Sequence, residues 1–404
     1  MTASTTSRTA SRLLPGLLLL LTVFGPISAL TSELGATTSV AQLTVTACLI
    51  GLAAGQLIAG PLSDRFGRRG ILLIGIVAYI VTSALCALSP TVELLIIARF
   101  VQGLAGGVGI VIANAAGRDI YSGGQLIRFY GRLTVVGGFA AIVGPLLGGL
   151  LNTLVDWRGL FVFLALAGAG ILVVTLLVFT ETLAVEARTG GGFSHALQDF
   201  RTLLADRVFL SAVLNQGFLY AALFAYLAGA TFVLQDIYGM SPQWYAAAFG
   251  LNSAGFMTFG YLAGRAAERW SIPGTLAIGG AVTGAGALGL LLAGLTPMPL
   301  WVVIASLFIL ASGVAISSPP ATTLALAEYP QMAGTASSLL GMVRFGFGGI
   351  AAPLVGVAGA MSILPLGIVT TTCALLAGVF CALLISHRRR SAAAPALARA
   401  HHRS

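Results

Sequence analysis

The sequence predicts an all-α membrane protein with twelve transmembrane helices, and three observations lead to that fold class. Stretches of about twenty apolar residues recur twelve times along the 404 residues. Each is long enough to cross a ~30 Å hydrocarbon core as a helix at ~1.5 Å per residue. Hydrophobic residues make up 57% of the chain, charged residues only 8%, and mean hydropathy is +0.98, values that no water-soluble core of this length requires. The net charge of +9 is concentrated in alternate loops.

Short connections separate the twelve predicted spans, apart from one longer polar gap over 181–207. The spans cover 13–30, 40–62, 71–89, 92–116, 133–153, 160–180, 208–234, 244–263, 275–295, 300–320, 334–358 and 362–386. A signal peptide is the alternative interpretation of 13–30. We interpret it as a span because further spans follow at once and no clear small-x-small site precedes soluble sequence.

The arginines predict the orientation. The chain has no Lys, and all of its Arg residues except Arg99, Arg158 and Arg344 lie in the tails or in every second loop. The positive-inside rule therefore places both termini in the cytoplasm, as an even number of spans requires. A nucleic-acid-binding surface is excluded because these Arg form no patch away from the span ends. The four Cys lie inside spans without C-x-x-C spacing, so we expect no disulfide, metal or cofactor.

The polar gap divides the chain into two groups of six spans. We predict a cytoplasmic tail over 1–12, a six-helix bundle over 13–180, a cytoplasmic linker over 181–207, a second six-helix bundle over 208–386 and a basic tail over 387–404. Within the linker, Ser194–Arg207 has the mixed face of a helix lying on the membrane surface. The Ala- and Arg-rich tail has nothing to bury, so we expect it to be disordered beside anionic lipid.

An internal repeat relates the two groups of spans. A shift of 200 residues superimposes 60–69 on 260–269, so that Gly60 matches Gly260 and Asp64 matches Gly264. A shift near 208 brings span five onto span eleven and matches Gly138, Pro145 and Gly148 with Gly346, Pro353 and Gly356. Two pseudo-symmetric halves around a central site are typical of alternating-access transporters.

Three motifs carry a resemblance to the major facilitator superfamily. The turn after span two resembles that superfamily's signature loop between helices two and three; it reads Gly60-x-Leu62-x-Asp64-Arg65-x-Gly67-Arg68-Arg69. Arg99-x-x-Gln102-Gly103 resembles the fourth-helix motif. Gly144-Pro145-x-x-Gly148-Gly149 resembles the fifth-helix motif associated with antiporters.

Further segments resemble the Bcr/CflA group of drug-resistance exporters, above all Phe224–Gly239. The resemblance covers roughly 40–385 and implies drug export in exchange for protons. That group usually carries an acidic residue in helix one, whereas Leu13–Ala29 holds none. Coupling is therefore expected at another carboxylate, with Asp119 and Asp236 as candidates, or through another energy source.

Asp64 is the candidate gating residue. We predict that its carboxylate caps the N-terminal end of a helix in the other half, where exposed N–H groups and the helix dipole favour an anion. The alternative is a solvated loop carboxylate that only orients the turn. Gly67 permits that tight turn. Because Gly264 lacks a carboxylate, the contact would be one-sided.

Arg99 and Arg344 lie inside apolar spans, where an unpaired cation costs at least ~2.5–3.5 kcal/mol. Each either ties helices together or lines a central cavity, and Gln102 accompanies Arg99. No acidic residue is predicted at comparable depth. A cavity with two Arg and no carboxylate would disfavour lipophilic cations. Candidate substrate contacts, each equally able to join helices, are Gln56, Asn215, Gln216, Tyr220 and Asn252.

We predict a monomeric secondary transporter in the plasma membrane that exports a small neutral or zwitterionic drug by proton antiport. A solute uptake carrier or a proton-independent facilitator of the same fold is the alternative. A membrane-embedded enzyme would need a constellation such as H-E-x-x-H, which the four His do not form. A channel does not account for two halves that each carry a gate-like turn.

Overall fold

The computed structural model describes residues 38–136, 154–188, 193–356 and 362–401, and its regular elements in these ranges are all helical. They are α1 (Thr38–Phe66), α2 (Arg68–Ala87), α3 (Val92–Ile120), α4 (123–136), α5 (Trp157–Val178), α6 (Phe193–Ala205), α7 (Arg207–Thr231), α8 (Pro242–Trp270), α9 (Ile272–Leu295), α10 (Leu300–Leu326), α11 (Ala333–Gly356) and α12 (Leu364–His401), with short helical turns after α5, α7 and α10. Eight helices in these ranges are long and apolar enough to cross a membrane.

The described long helices coincide with predicted spans, and some extend beyond them at one end, as α8 does to Trp270 and α12 to His401. The predicted first span, 13–30, and most of the fifth, 133–153, lie outside the described residues. The linker contains a helix, α6, where the sequence predicts one. The expectation of a disordered tail is wrong for 387–401, because α12 continues to His401. The Ala-rich composition of this segment gives it a high helix propensity.

Side-chain caps explain where two of the helices begin. The Asp156 carboxylate accepts a hydrogen bond from the Gly159 backbone N–H at 2.8 Å and starts α5. The Asp206 carboxylate accepts from the Val208 N–H at 2.7 Å and starts α7 directly after α6. Such caps satisfy backbone donors that the first helical turn leaves unpaired.

The same packing pattern recurs in the two parts of the chain. In the first part α1 packs on α3, and α2 packs on both α3 and α5. In the second part α8 packs on α10, and α9 packs on both α10 and α12. These pairs correspond under the 200-residue shift of the sequence repeat. The two parts meet where α1 and α3 pack against α11.

The outward faces of the helices are apolar. Ile74, Leu177 and Leu375 are 67%, 80% and 67% exposed although each belongs to a long apolar helix. A water-soluble protein rarely exposes contiguous apolar surface of this extent. Hydrocarbon around the helices accounts for it, since a helix pairs its own backbone polar groups and can therefore be surrounded by lipid.

Candidate functional site

The turn between α1 and α2 is organised by Gly67 and by a distant glutamate. Gly67 adopts φ +93°, a conformation that glycine tolerates. The Glu181 carboxylate, which follows α5, accepts hydrogen bonds from the backbone N–H groups of Arg68 at 2.9 Å and Arg69 at 3.2 Å. Partial burial alone would raise the pKa of Glu181, but hydrogen bonds from these two groups and from two residues beyond it outweigh burial and lower that pKa.

Arg68 is fully buried between two carboxylates. Its Nη1 lies 2.5 Å from Asp64 Oδ1, and its Nε lies 3.1 Å from Asp119 Oδ2. Nη1 also donates to Ser63 Oγ at 2.8 Å. A buried guanidinium is tolerated when its charge is paired and its donors are used. The side chain thereby joins the end of α1 to the end of α3.

Asp64 extends this network to α11. Its Oδ1 accepts from the Gly334 N–H at 2.9 Å, and its Oδ2 accepts from the Thr335 N–H and the Thr335 hydroxyl, each at 2.8 Å. These amides belong to the first turn of α11, where N–H groups lack intrahelical partners and the helix dipole favours an anion. The predicted helix cap is present, and the alternative of a solvated carboxylate is wrong because Asp64 is 1% exposed.

The backbones of α1 and α11 are in close contact beside this network. A Cβ built on Gly60 would lie 2.5 Å from the Gly334 carbonyl oxygen. Two turns further along α11, Gly341 lies directly against the Gln56 amide. Gln56 is fully buried, and its amide has no hydrogen-bond partner in the described part of the chain. The two helices therefore leave no passage between them at this level.

A second contact between the two parts of the chain lies at the same end as Asp64. Small residues form it where the first contact has a carboxylate. The backbones of α4 and α8 approach at Gly131 and Gly260, where a Cβ on Gly131 would lie 3.0 Å from the Gly260 carbonyl oxygen. Arg118, at the end of α3, donates to the Leu326 and Ala327 carbonyl oxygens at the end of α10. A cation at a helix C-terminus complements the dipole there. Several contacts between the two parts, among the residues that the structure describes, thus lie at the Asp64 end.

A polar cluster surrounds Arg344 near the middle of α11; we call Gln216, Tyr220, Ser318, Thr322 and Arg344 the Arg344 cluster. Arg344 Nη2 donates to Thr322 Oγ1 at 2.6 Å, and the guanidinium carbon lies 5.0 Å from the centre of the Tyr220 ring. The Gln216 amide oxygen is assigned toward Arg344, because the opposite orientation would face its NH₂ group with guanidinium donors. The cluster brings together α7, α10 and α11.

Arg99 and Gln102 occupy a different environment, which corrects the expectation of a cavity shared by Arg99 and Arg344. Arg99 is 2% exposed and donates to Gln102 Oε1 at 2.8 Å. The Gln102 amide in turn donates to Ser83 Oγ at 2.7 Å, and the Phe161 ring lies 5.5 Å from Arg99. Arg99 therefore ties α2, α3 and α5 together, and its described partners differ from those of Arg344.

The remaining candidates divide by environment. The Asn215 amide donates to the Ala377 carbonyl, and the Asn252 amide donates to the Tyr226 hydroxyl, so both join neighbouring helices. Asp236 lies exposed in the π-helical turn Phe232–Ile237 that extends α7. Arg65 is exposed beside the Phe66 ring, and Arg69 bonds the Leu176 carbonyl. The predicted fifth-helix motif, Gly144, Pro145, Gly148 and Gly149, lies outside the described residues.

Sequence reasoning missed several partners in both sites. Thr335 donates its own backbone N–H and hydroxyl to Asp64, and Glu181 accepts from the backbone amides of Arg68 and Arg69. No local pattern reveals these pairings between distant segments. Ser318 and Thr322 had a usable signal, since they lie four residues apart in an apolar span and therefore share one helix face.

Known proteins resemble this chain over most of its length. The chain is 35% identical over 352 residues to an uncharacterised MFS-type transporter, YdgK, of Bacillus subtilis, covering 84% of this chain and 88% of the relative. It is 30% identical over 315 residues to a bicyclomycin resistance protein homolog of Haemophilus influenzae, covering 78% of this chain and 79% of the relative.

A solved structure matches the fold. The proton:xylose symporter XylE superimposes with a TM-score of 0.73 at 19% identity, covering 93% of this chain and 94% of that protein. The sequence profile described as Major Facilitator Superfamily matches residues 16–353. The profile match extends across both parts of the chain and includes the Asp64 turn and the Arg344 cluster. The protein is therefore a multi-pass membrane transporter of the Major Facilitator Superfamily, and not an enzyme.

Proposed function

We propose that this transporter exports small neutral or zwitterionic drug-like molecules across the plasma membrane by alternating access, in exchange for protons. In this proposal the chain is a monomer of two pseudo-symmetric six-helix bundles with both termini in the cytoplasm. The drug-resistance name of the Haemophilus relative supports the substrate class. The recurring helix pairs support the two-bundle arrangement.

One observation carries the proposal: the carboxylate of Asp64 binds the first turn of α11. This contact joins the two parts of the chain by hydrogen bonds alone, so it can break and re-form in each cycle. With the arginine-derived orientation, the Asp64 end faces the cytoplasm. The described arrangement then corresponds to a state closed to the cytoplasm, and export requires the alternative state in which α1 and α11 separate.

The Arg344 cluster supports the preference for substrates without a permanent positive charge. Its only formal charge is the guanidinium of Arg344, and its other members are neutral hydroxyl and amide groups. A lipophilic cation would meet a like charge in a poorly solvated space. Neutral and zwitterionic molecules would instead find hydrogen-bonding groups and the aromatic ring of Tyr220.

The test is an antibiotic susceptibility profile of a bacterium that lacks its own pumps and expresses this chain. We expect protection against neutral amphenicol-like or cyclic-peptide-like antibiotics and little against a quaternary ammonium compound. Asp64→Asn at equal membrane abundance is the inactive control. Strong protection against the quaternary ammonium with none against neutral drugs would contradict the substrate class.

Direction and coupling need a separate measurement. Inside-out vesicles carrying the transporter should accumulate a protective drug when their lumen is acidified, and collapsing the pH gradient should abolish the accumulation. Accumulation in right-side-out vesicles instead would indicate an uptake carrier. Gradient-independent equilibration would indicate a facilitator.

A further inference from the structure

The positive charge of Arg344 is uncompensated within the described part of the chain. No described carboxylate forms an ion pair with it, whereas buried Arg68 has two such partners. The groups that Arg344 contacts are a glutamine amide, a threonine hydroxyl and a tyrosine ring. A cation without a counter-ion is costly at membrane depth. An anion bound at this position would offset that cost.

Some N–H groups of the Arg344 guanidinium have no hydrogen-bond partner among the described residues. Nε and Nη2 donate to the Gln216 oxygen at 3.1 and 2.6 Å, and Nη2 also donates to Thr322. Arginine carries five N–H groups, and those of Nη1 have no partner among the described residues. Arg344 is also only partly buried. The Tyr220 and Ser318 hydroxyls, 3.3 Å apart, are further polar groups of the same cluster.

The position of the cluster suits a transported molecule. Gly341 and Arg344 are three residues apart on α11 and share one helix face. Gly341 lies against Gln56 of α1 in the closed contact, so Arg344 lies one turn beyond that contact, away from the Asp64 end. Substrate sites of such transporters lie near mid-membrane between the two halves.

We propose that the Arg344 cluster binds a carboxylate of the transported molecule. The charged ends of guanidinium and carboxylate match in geometry, and such charge-assisted hydrogen bonds are stronger than those to a neutral oxygen. Among the transported molecules, zwitterions and weak organic acids would then be held by a carboxylate that pairs with Arg344, in addition to the neutral molecules of the proposed function. This inference rests on the proposed function for its transport role, but binding is testable without transport.

The experiment compares acids with their neutral carboxamides. Binding to the purified full-length protein is measured by calorimetry near pH 7.5 with two pairs, nalidixic acid and its carboxamide, and salicylate and salicylamide. We expect the wild-type protein to bind the acid of at least one pair about tenfold more tightly than the amide, the ratio typical of a charge-assisted over a neutral hydrogen bond.

Two variants assign the preference to Arg344. Gln216→Glu is nearly isosteric and places a carboxylate against the guanidinium, so it should reduce the acid-to-amide ratio to about one without requiring Arg344 to be removed. Arg344→Gln should do the same. Arg201→Gln, which removes an exposed positive charge on α6, is the matched control and should leave the ratio unchanged.

The outcomes separate this inference from the proposed function. Absence of an acid preference in the wild-type protein for both pairs overturns the carboxylate site, as does a preference that survives both Gln216→Glu and Arg344→Gln. An acid preference that depends on Arg344, combined with no export of any compound from cells, would leave the carboxylate site standing and contradict drug export. Export of neutral drugs without an acid preference in binding would support drug export and contradict the carboxylate site.

Discussion

Both carboxylate oxygens of Asp64 are fully used. Oδ1 accepts from Arg68 and from the Gly334 N–H, and Oδ2 accepts from the Thr335 N–H and hydroxyl. All four partners are donors, so an amide in place of the carboxylate would turn its NH₂ group toward at least one of them. Asparagine therefore removes the charge and also creates a donor–donor contact in a buried site.

Asp64→Asn should cripple transport with little loss of membrane insertion. Breaking a buried ion pair costs up to about 3–5 kcal/mol, and we expect less here because Arg68 keeps Asp119. Destabilising the closed state by about 2 kcal/mol would still change the ratio of closed to open molecules more than tenfold. Arg65→Ala should be milder, since Arg65 is exposed. Normal export by a well-expressed Asp64→Asn protein, measured by drug accumulation in cells, would contradict this role.

Asp119 and Asp236 are the two acids that the sequence proposes for proton coupling, and their environments differ. Asp119 accepts from Arg68 and from the Thr182 hydroxyl at 2.9 Å, whereas Asp236 is exposed. A coupling carboxylate must alternate between a partnered and a neutral state. We expect Asp119→Asn to uncouple export from the pH gradient in vesicles and Asp236→Asn to leave it unchanged. If neither variant alters gradient-driven export, another residue or energy source is responsible.

At the level of elements, the approach of α1 to α11 depends on glycines at two kinds of contact. At Gly60 the opposing atom is the Gly334 backbone oxygen, and at Gly341 it is the Gln56 side chain. A backbone atom cannot yield to an added methyl group, but a side chain can be shortened by mutation. The two positions should therefore respond differently to alanine.

Gly341→Ala should impair the closed state and transport, and adding Gln56→Ala should restore much of both. Gly60→Ala should also impair transport, but Gln56→Ala should not rescue it. Overpacking of this kind costs typically ~1–3 kcal/mol. Export rates of the four variants at matched abundance provide the measurement. If Gln56→Ala restored transport equally in Gly60→Ala, the effect of Gln56 would not depend on its contact with Gly341.

Glu181 links the end of α5 to the start of α2, and its lowered pKa predicts a pH dependence. A lowered pKa in the folded protein stabilises the fold fully above the ordinary value of 4.5, and this stabilisation is lost as the pH falls through the lowered pKa. The melting temperature of the wild type should exceed that of Glu181→Gln at pH 7, and the gap should narrow as the pH falls below 4.5 and close below the lowered pKa. Glu186→Gln, a neighbouring exposed glutamate, should show no such gap. A gap that stays unchanged as the pH is lowered well below 4.5 would contradict the charge-dependent cap.

At the scale of the whole molecule, three contacts between the two parts of the described chain lie at one end. The Asp64 contact, the Arg118 contact with α10 and the close approach of α4 to α8 all lie there. Rigid helices that touch at one end through hydrogen bonds and glycine contacts are able to separate at that end without repacking their interiors. Such an arrangement favours rocking of two halves over local unfolding.

The sequence predicts the helices well because each span is a long apolar run and needs no partner to be recognised. It also predicts the Asp64 cap, since a carboxylate among arginines at a span end has few other uses. It leaves the role of Arg99 open, because an Arg in an apolar span looks the same whether it faces a cavity or a packed interface. Only the contact with Gln102 and Phe161 distinguishes the two. Thr335 and Glu181 were missed because their contacts join segments more than one hundred residues apart.

The most direct test of alternating access at the Asp64 end is a distance measurement by double electron–electron resonance. Spin labels replace Phe66, at the end of α1, and Glu328, between α10 and α11, in a variant without native cysteines; both positions are exposed. We predict a mainly short distance in the wild type, a longer population on adding a transported drug, and a mainly longer distance in Asp64→Asn. A single short distance that neither the drug nor Asp64→Asn changes would contradict a gate at this end.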